Sequence, residues 1–185
     1  MFETTIRSLG GLLSAYDLSM DYAFLEKADD LGSRLLRAFD SPSGIPYGQV
    51  HLGTGVASNI AWIKNSALLA EYSTLQVEFR YLAKVTGDRE YAEKSERIFD
   101  ILEKLQPNSG LLSLQTSNLQ KEARQRGSHV SFGAMGDRYV PSSHIMVRCD
   151  INQCFFLSYG KYLTKGQLFP TPLTSPFTIV RMNTS

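Results

Sequence analysis

Apolar residues recur at helical spacing in segments that cover most of the first 105 residues. The first segment runs from Phe2 to Leu18, and the second, which Asp21 is expected to cap, reaches Ala38. Residues three and four apart share one face of a helix, so each segment predicts an amphipathic helix with one buried face. Helices joined by a short link pack antiparallel. The pattern therefore predicts an all-α fold of helix hairpins, which suits a bundle, a solenoid or a toroid.

Two further helices are expected after a long loop. Gly and Pro residues break the helical period between Ser41 and Thr54, and a loop of this length in a compact domain is often functional. A third helix is predicted from Ser66 to Val85, and a fourth follows the stop signal at Thr86-Gly87-Asp88 and reaches Leu105. Beyond it, Leu111 to Gln115 is expected to be a short strand or an extended entry to a hairpin.

The bulk properties exclude several classes of protein. The chain has 185 residues, 43% of them hydrophobic, which suits one domain or part of a larger one. With 19 basic and 18 acidic residues, nothing directs it to nucleic acid or to an anionic membrane. No apolar run approaches the roughly 20 residues that span a bilayer, so we expect no transmembrane segment in this chain.

Because the sequence opens inside a helical pattern, upstream sequence is expected to be missing. The only cysteines, Cys149 and Cys154, are compatible with a disulfide, a metal pair or neither.

An acid and a base stand at the start of the first helix. Glu3 and Arg7 are four residues apart, so they lie one turn apart on one face and can form an ion pair. An acid in a first turn also complements the helix dipole. The adjacent Gly10-Gly11 is unusual, because each glycine weakens a helix by about 1 kcal/mol relative to alanine. Two glycines in a helix indicate close approach by another part of the protein.

The stretch FETTIRSLGGLLSAY, residues Phe2–Tyr16, resembles the class I α-1,2-mannosidases of glycoside hydrolase family 47. Matching patterns occur at Ile45-Pro46-Tyr47, at Gly53-Thr54-Gly55 and in AEYSTLQVEFR, residues 70–80. The resemblance implies part of an (α/α)7 barrel, in which seven helix pairs surround a central cavity. It covers about residues 2–137, which implies a partial catalytic domain over 1–137. Residues 138–185 are then expected to be a divergent, non-homologous tail, irregular or disordered.

Hydrolysis of a glycosidic bond needs one carboxylic acid to protonate the leaving oxygen and a second carboxylate to activate water. The resemblance implies that Glu3 is the general acid, acting directly or through a water. It implies that Asp137 positions or activates the nucleophilic water, with a further Glu beyond the matching region as an alternative base. Arg7 and Glu71 are implied to line the sugar site.

Each of these residues also has a purely structural interpretation. The residues alone allow Asp137, which follows Gly-x-Gly, to be a turn or cap residue. Acids on a helix face are usually solvated, which is the interpretation we adopt for Glu78 and the alternative for Glu71. His51, His129 and His144 have no spacing typical of metal ligands. Met135 occupies a position where some family members carry an Arg that restricts which mannose is removed, so it disfavours the strict single-mannose type.

The implied parent activity is that of a mannosyl-oligosaccharide 1,2-α-mannosidase, which removes terminal α-1,2-linked mannose from high-mannose N-glycans with inversion. The implied location is the secretory pathway, in the endoplasmic reticulum or the Golgi, with any membrane anchor in a segment outside this chain. The family binds Ca²⁺ through a terminal Thr that lies beyond the matching region. We therefore expect no Ca²⁺ site here and no turnover by this chain alone.

Three other interpretations stay open at this stage. The chain could recognise glycans without catalysis in quality control of the endoplasmic reticulum, as related mannosidase-like proteins do. It could be a helical-repeat scaffold, in which case Glu3, Glu71 and Asp137 would point to solvent or to unrelated places. It could also be a non-functional gene fragment.

Overall fold

The computed structural model describes residues 1–63, 66–105 and 112–131. In this part of the chain the long helices form two packed pairs. A π-helical turn, Thr4–Leu9, leads into α1 (Gly10–Ser19), which packs on α2 (Tyr22–Leu36). The second pair consists of α4 (Gln76–Thr86) and α5 (Arg89–Leu105), preceded by the short α3 (Leu69–Tyr72). The predicted helix hairpins are confirmed.

The helix ends are where local sequence signals put them. Asp21 caps α2, because its side-chain oxygen accepts a hydrogen bond from the amide of Ala23 at 2.9 Å. Gly87 ends α4 in the left-handed conformation, with φ +81°, and its amide donates to the carbonyl oxygen of Ala83 at 2.9 Å. Met20 ends α1, also in the left-handed conformation, with φ +56°. This conformation is sterically unfavourable for a residue with a Cβ atom and is not for glycine.

The third helix, predicted from Ser66 to Val85, does not begin at Ser66 and is interrupted after Tyr72. Ser66 lies in an extended segment, followed by β3 (Ala67–Leu68), and a non-helical turn separates α3 from α4. The backbone of β3 pairs antiparallel with β4 (Gln115–Ser117), where Ala67 faces Thr116. Apolar residues are buried on both faces of such a short strand, so their spacing does not distinguish it from a helix. The partner strand, 49 positions later along the chain, decides the structure.

Two small antiparallel sheets complete the described fold. The order in the larger is β3, β4 and β5 (Arg124–Arg126), and the smaller pairs β1 (Gln49–Val50) with β2 (Ala57–Ser58). The extended segment predicted after α5 is present, but its strand begins at Gln115 rather than ending there. Leu111 itself lies outside the described residues.

The core lies between the two helix pairs. Phe79 of α4 is fully buried and meets Phe39 edge to face, with ring centroids 5.2 Å apart. Helix α2 can approach α4 closely because Gly32 has no side chain, since a Cβ atom there would stand 2.3 Å from Cδ2 of Leu82. Hydrogen bonds also join the pairs: the hydroxyl of Tyr81 on α4 donates to Asp17 on α1 at 2.5 Å. This packing fixes the two helix pairs against each other. The candidate site lies beside them, where the N-terminal turn meets the loop after α2 and the segment before α4.

Candidate functional site

A shallow concavity lies where the N-terminal turn, the loop around Tyr47 and the segment β3–α3 meet. Most of the residues that line it are apolar, and Glu71 supplies its carboxylate. The residues that line it are Met1, Phe2, Pro46, Tyr47, Gly48, Ala67, Leu68, Glu71, Tyr72 and Leu75. Its volume of about 220 Å³ is below that of a typical small-molecule pocket, so the described residues form only part of such a site.

Glu71 projects into this concavity from the single turn of α3. Its neighbour Tyr72 is buried, and the hydroxyl of Tyr72 lies 2.8 Å from Oγ1 of Thr116, so β4 fixes the turn that carries Glu71. Across the hollow, Oε2 of Glu71 lies 3.7 Å from the position that a Cβ atom would take on Gly48. The loop therefore lies beside the carboxylate, while the tight neighbour of position 48 is Ile60, whose Cγ1 would stand 3.2 Å from the same Cβ atom.

Partial burial gives Glu71 an unusual acidity. Burial raises the pKa of the Glu71 carboxyl above its ordinary value, the amino group of Met1 opposes this, and the Glu3 carboxylate raises the pKa further. The amino group of Met1 itself donates to the carbonyl oxygen of Gly48 at 2.9 Å. Glu71 thus holds a proton more readily than an exposed glutamate does.

Glu3 and Arg7 form the predicted ion pair on the outer side of the N-terminal turn. Nε of Arg7 donates to Oε2 of Glu3, and the two side chains stay exposed, 62% for Glu3 and 75% for Arg7. The backbone between them is π-helical, because the amide of Gly10 donates to the carbonyl of Thr5, five residues earlier. Single π-helical turns inside helices are frequent at functional sites.

Glu3 lies near Glu71 although 68 positions separate them in the chain, but only Glu71 is among the residues that line the concavity. Their environments differ, since Glu3 is exposed and paired with Arg7, whereas Glu71 is half-buried. Repulsion from the Glu3 carboxylate favours the protonated form of Glu71. This proximity of the two acids disfavours the scaffold interpretation, in which they would point to unrelated places.

The remaining predicted site residues have different outcomes. Asp137 lies outside the described residues, so its role stays a prediction, as do the interpretations of Met135, Cys149 and Cys154. The solvated interpretation of Glu78 is wrong. That residue is only 4% exposed, because α4 is covered by α1, α2 and α5.

Sequence reasoning missed two residues that shape the concavity. Gly48 follows Ile45-Pro46-Tyr47 and was not distinguished from the other loop glycines, although a Cβ atom there would stand only 3.2 Å from Cγ1 of Ile60. Asn118 is fully buried beyond β4 and donates to the carbonyl oxygens of Ile45 and Pro46 at 3.1 and 3.2 Å. No local pattern marks Asn118, because these two carbonyl partners are more than 70 positions away.

Over residues 1–63, 66–105 and 112–131, no group of three or more His, Cys, Asp or Glu side chains is placed to hold a metal ion. The described helices include none that is both long enough and apolar enough to cross a membrane.

Comparison with known proteins identifies relatives of this chain. The model of the family described as glycosyl hydrolase family 47 matches residues 1–162. The mannosyl-oligosaccharide 1,2-alpha-mannosidase MNS1 of Arabidopsis thaliana is 46% identical over 140 residues, which cover 75% of this chain and 25% of that protein. The endoplasmic reticulum mannosyl-oligosaccharide 1,2-alpha-mannosidase of Homo sapiens is 52% identical over 98 residues, 53% of this chain and 14% of that protein.

A solved structure shows the same fold. The structure of an alpha-1,2-mannosidase from Trichoderma reesei superposes with a TM-score of 0.63 at 30% sequence identity, over 74% of this chain and 30% of that one. The superposition confirms the predicted helix hairpins as part of a barrel of the (α/α)7 type. This chain spans a quarter or less of the length of the two relatives named above. The family match extends past Asp137 to residue 162, and the domain boundary predicted at residue 137 stays a prediction.

Proposed function

The chain belongs to glycosyl hydrolase family 47, and we propose that it supplies part of the sugar site of an inverting α-1,2-mannosidase. The proposed parent activity is the removal of terminal α-1,2-linked mannose from high-mannose N-glycans. The observation that carries this proposal is the half-buried carboxylate of Glu71 in the concavity, close enough to Glu3 for the Glu3 carboxylate to raise its pKa. The relatives whose names describe mannosyl-oligosaccharide 1,2-alpha-mannosidases support it.

The proposed chemistry gives each residue one task. Water attacks the anomeric carbon of the terminal mannose from the face opposite the glycosidic oxygen, while the bond to that oxygen breaks. Glu3 delivers a proton to the leaving oxygen, directly or through a water. Asp137, or a further Glu outside the matching region, takes the proton from the attacking water.

Arg7 and Glu71 support the proposed acid in different ways. Arg7 forms an ion pair with Glu3 and so holds its carboxylate in one orientation. The pKa of Glu71 is raised by burial and by the nearby Glu3 carboxylate, so Glu71 holds a proton more readily than an exposed glutamate does. The site therefore combines a positioned acid with a neighbouring carboxyl group that favours its protonated form.

No step of this proposed chemistry depends on Ca²⁺. For the whole protein we propose Ca²⁺ binding by residues outside the described part. We also propose a location in the endoplasmic reticulum or the Golgi, where high-mannose N-glycans are trimmed.

Two measurements test the proposed function. The first is binding of α-1,2-mannobiose to the 185-residue chain by NMR titration. We expect shifted resonances at Tyr47, Gly48 and Glu71 and no release of mannose. Binding of maltose with equal affinity, or binding elsewhere, would contradict the assignment, and substantial mannose release would contradict the expectation that this chain is inactive alone.

The second measurement uses a hybrid enzyme. Residues 2–137 of this chain replace the matching segment of the Arabidopsis relative, which is 46% identical in the aligned region. We expect the hybrid to hydrolyse α-1,2-mannobiose, and Glu3→Gln in the hybrid to lower kcat by about 10² or more. A hybrid in which Glu3→Gln leaves kcat unchanged but binds glycan normally would favour glycan recognition without catalysis.

A further inference from the structure

One wall of the concavity is held by a buried pair of asparagines. Asn118 is fully buried and Asn59 is nearly so. Nδ2 of Asn59 donates to Oδ1 of Asn118 at 2.6 Å, and Nδ2 of Asn118 lies 3.3 Å from Oδ1 of Asn59. The two side-chain amides are thus paired with each other, inside the protein, between segments 59 positions apart.

The same amide of Asn118 reaches the loop that lines the concavity. Its nitrogen donates to the carbonyl oxygens of Ile45 and Pro46, at 3.1 and 3.2 Å. Only the NH₂ end of the side chain can face two carbonyl oxygens, because an oxygen there would be repelled. The pairing with Asn59 occupies the other end and so fixes the orientation of the amide.

The strand that precedes Asn118 holds the opposite wall. Thr116 of β4 lies 2.8 Å from the hydroxyl of Tyr72, the residue next to Glu71. Thr116 and Asn118, two positions apart, therefore hold α3 on one side and the Ile45–Pro46 segment on the other. Gly48, two residues beyond Pro46, is the point at which the loop meets the Glu71 carboxylate.

We propose that Asn118 is a positioning residue of the sugar site: it holds the loop from Ile45 to Gly48 against Glu71 and so keeps water away from that carboxylate. Its importance for sugar binding rests on the function proposed above, whereas its effect on Glu71 does not.

Other hydrogen bonds also hold the loop. Oγ of Ser41 donates to the carbonyl oxygen of Ile45 at 2.6 Å, the amide of Tyr47 donates to the carbonyl oxygen of Ala38 at 2.8 Å, and the amino group of Met1 donates to the carbonyl oxygen of Gly48 at 2.9 Å. These bonds fix the loop to the segment after α2 and to the N-terminus but not to β4. Loss of Asn118 is therefore expected to separate the loop from α3 without unfolding the loop.

The test is the titration of Glu71 in the 185-residue chain. The chain is labelled with ¹³C at the side-chain carboxyl of glutamate, and the Glu71 resonance is assigned from its loss in Glu71→Gln. In Asn118→Ala the midpoint of the Glu71 titration is expected to fall, because the released loop admits water to the carboxylate. Alanine is used rather than aspartate because a buried negative charge would itself raise the pKa of Glu71.

The matched control is Tyr91→Phe. It removes another hydrogen bond that ties distant segments, from the Tyr91 hydroxyl to Asp29 at 2.7 Å, on helices that do not line the concavity. If Asn118 has only a general structural role, the two variants shift the Glu71 midpoint equally or not at all, and the proposal fails. A downward shift confined to Asn118→Ala supports it.

A measurement on the unchanged chain covers the case in which Asn118→Ala does not fold. The side-chain amide protons of Asn118 are expected to exchange with solvent far more slowly than those of Gln49 or Gln120, whose side chains are exposed. Fast exchange at Asn118 would overturn the proposal. If the midpoint shifts as expected while α-1,2-mannobiose fails to bind the unchanged chain, the proposed function is wrong and the positioning role of Asn118 stands.

Discussion

Oε2 of Glu71 lies 3.7 Å from the position that a Cβ atom would take on Gly48. A Cβ atom there would make an ordinary van der Waals contact with the carboxylate, so the loop and α3 lie side by side at this point. The restricting neighbour of Gly48 is Ile60, which makes position 48 sensitive to an added side chain.

Gly48→Ala is expected to destabilise the fold by about 1 kcal/mol, as overpacking of a close contact does. The added Cβ atom would stand 3.2 Å from Cγ1 of Ile60, so Ile60 or the loop must shift by a few tenths of an ångström, and the added methyl group would also occupy space beside Glu71. Urea unfolding measures the stability, and NMR titration with α-1,2-mannobiose measures the expected loss of binding.

Gly11→Ala is the matched control for this substitution. Gly11 lies in α1, and no atom of the described residues stands within 4 Å of a Cβ atom there, so the close approach predicted for this glycine is not found in that part of the chain. The same change at Gly11 is therefore expected to stabilise the chain by about 1 kcal/mol through helix propensity. Equal effects at the two positions would show that the close contact at Gly48 is unimportant.

Glu71→Gln is expected to change how stability depends on pH. The folded-state pKa of Glu71 is raised, so its protonated form is favoured by folding; this contribution is present at low pH and is lost as pH rises through the folded pKa. Glutamine cannot ionise and avoids that loss. The variant should therefore match the unchanged chain near pH 4 and exceed it in stability at pH 7, as measured by urea unfolding. A variant that is less stable at pH 7 would contradict this.

Glu3→Gln is expected to lower the pKa of Glu71, because it removes the repulsion from the neighbouring carboxylate. Its effect on the free energy of unfolding should be small, between about 0 and 1 kcal/mol, since the ion pair with Arg7 is exposed. The ¹³C titration of Glu71 and urea unfolding measure the two quantities. Arg7→Gln serves as a control for loss of the ion pair alone, and an unchanged Glu71 midpoint in Glu3→Gln would show that the two acids do not interact.

Met20→Gly is expected to raise stability by about 1 kcal/mol, because it removes the cost of a side chain in the left-handed conformation at the end of α1. Met20 is 67% exposed, so little packing is lost. Met20→Ala keeps the backbone strain and should leave the melting temperature nearly unchanged. A glycine variant that melts at or below the alanine variant would contradict this account.

The parts of the fold that the sequence predicted well depend on contacts within one or two helical turns. Asp21 caps α2 through an amide two residues away, Gly87 ends α4, and Glu3 reaches Arg7 one turn along. The failures fall where a distant segment competes with the local pattern. Ala67 and Leu68 fit the apolar stripe of a helix, but their backbone pairs with β4 and they therefore form a strand.

The candidate site divides in the same way. The sequence by itself determined which side chains can carry chemistry, Glu3, Arg7 and Glu71, and its resemblance to a family gave them proposed tasks. Only the tertiary structure decided that Glu71 is half-buried beside Gly48, and that Asn118 holds the loop opposite it. The physical reason is distance along the chain: Asn118 and Pro46 are 72 positions apart, and a hydrogen bond between them leaves no periodicity in the sequence around either residue.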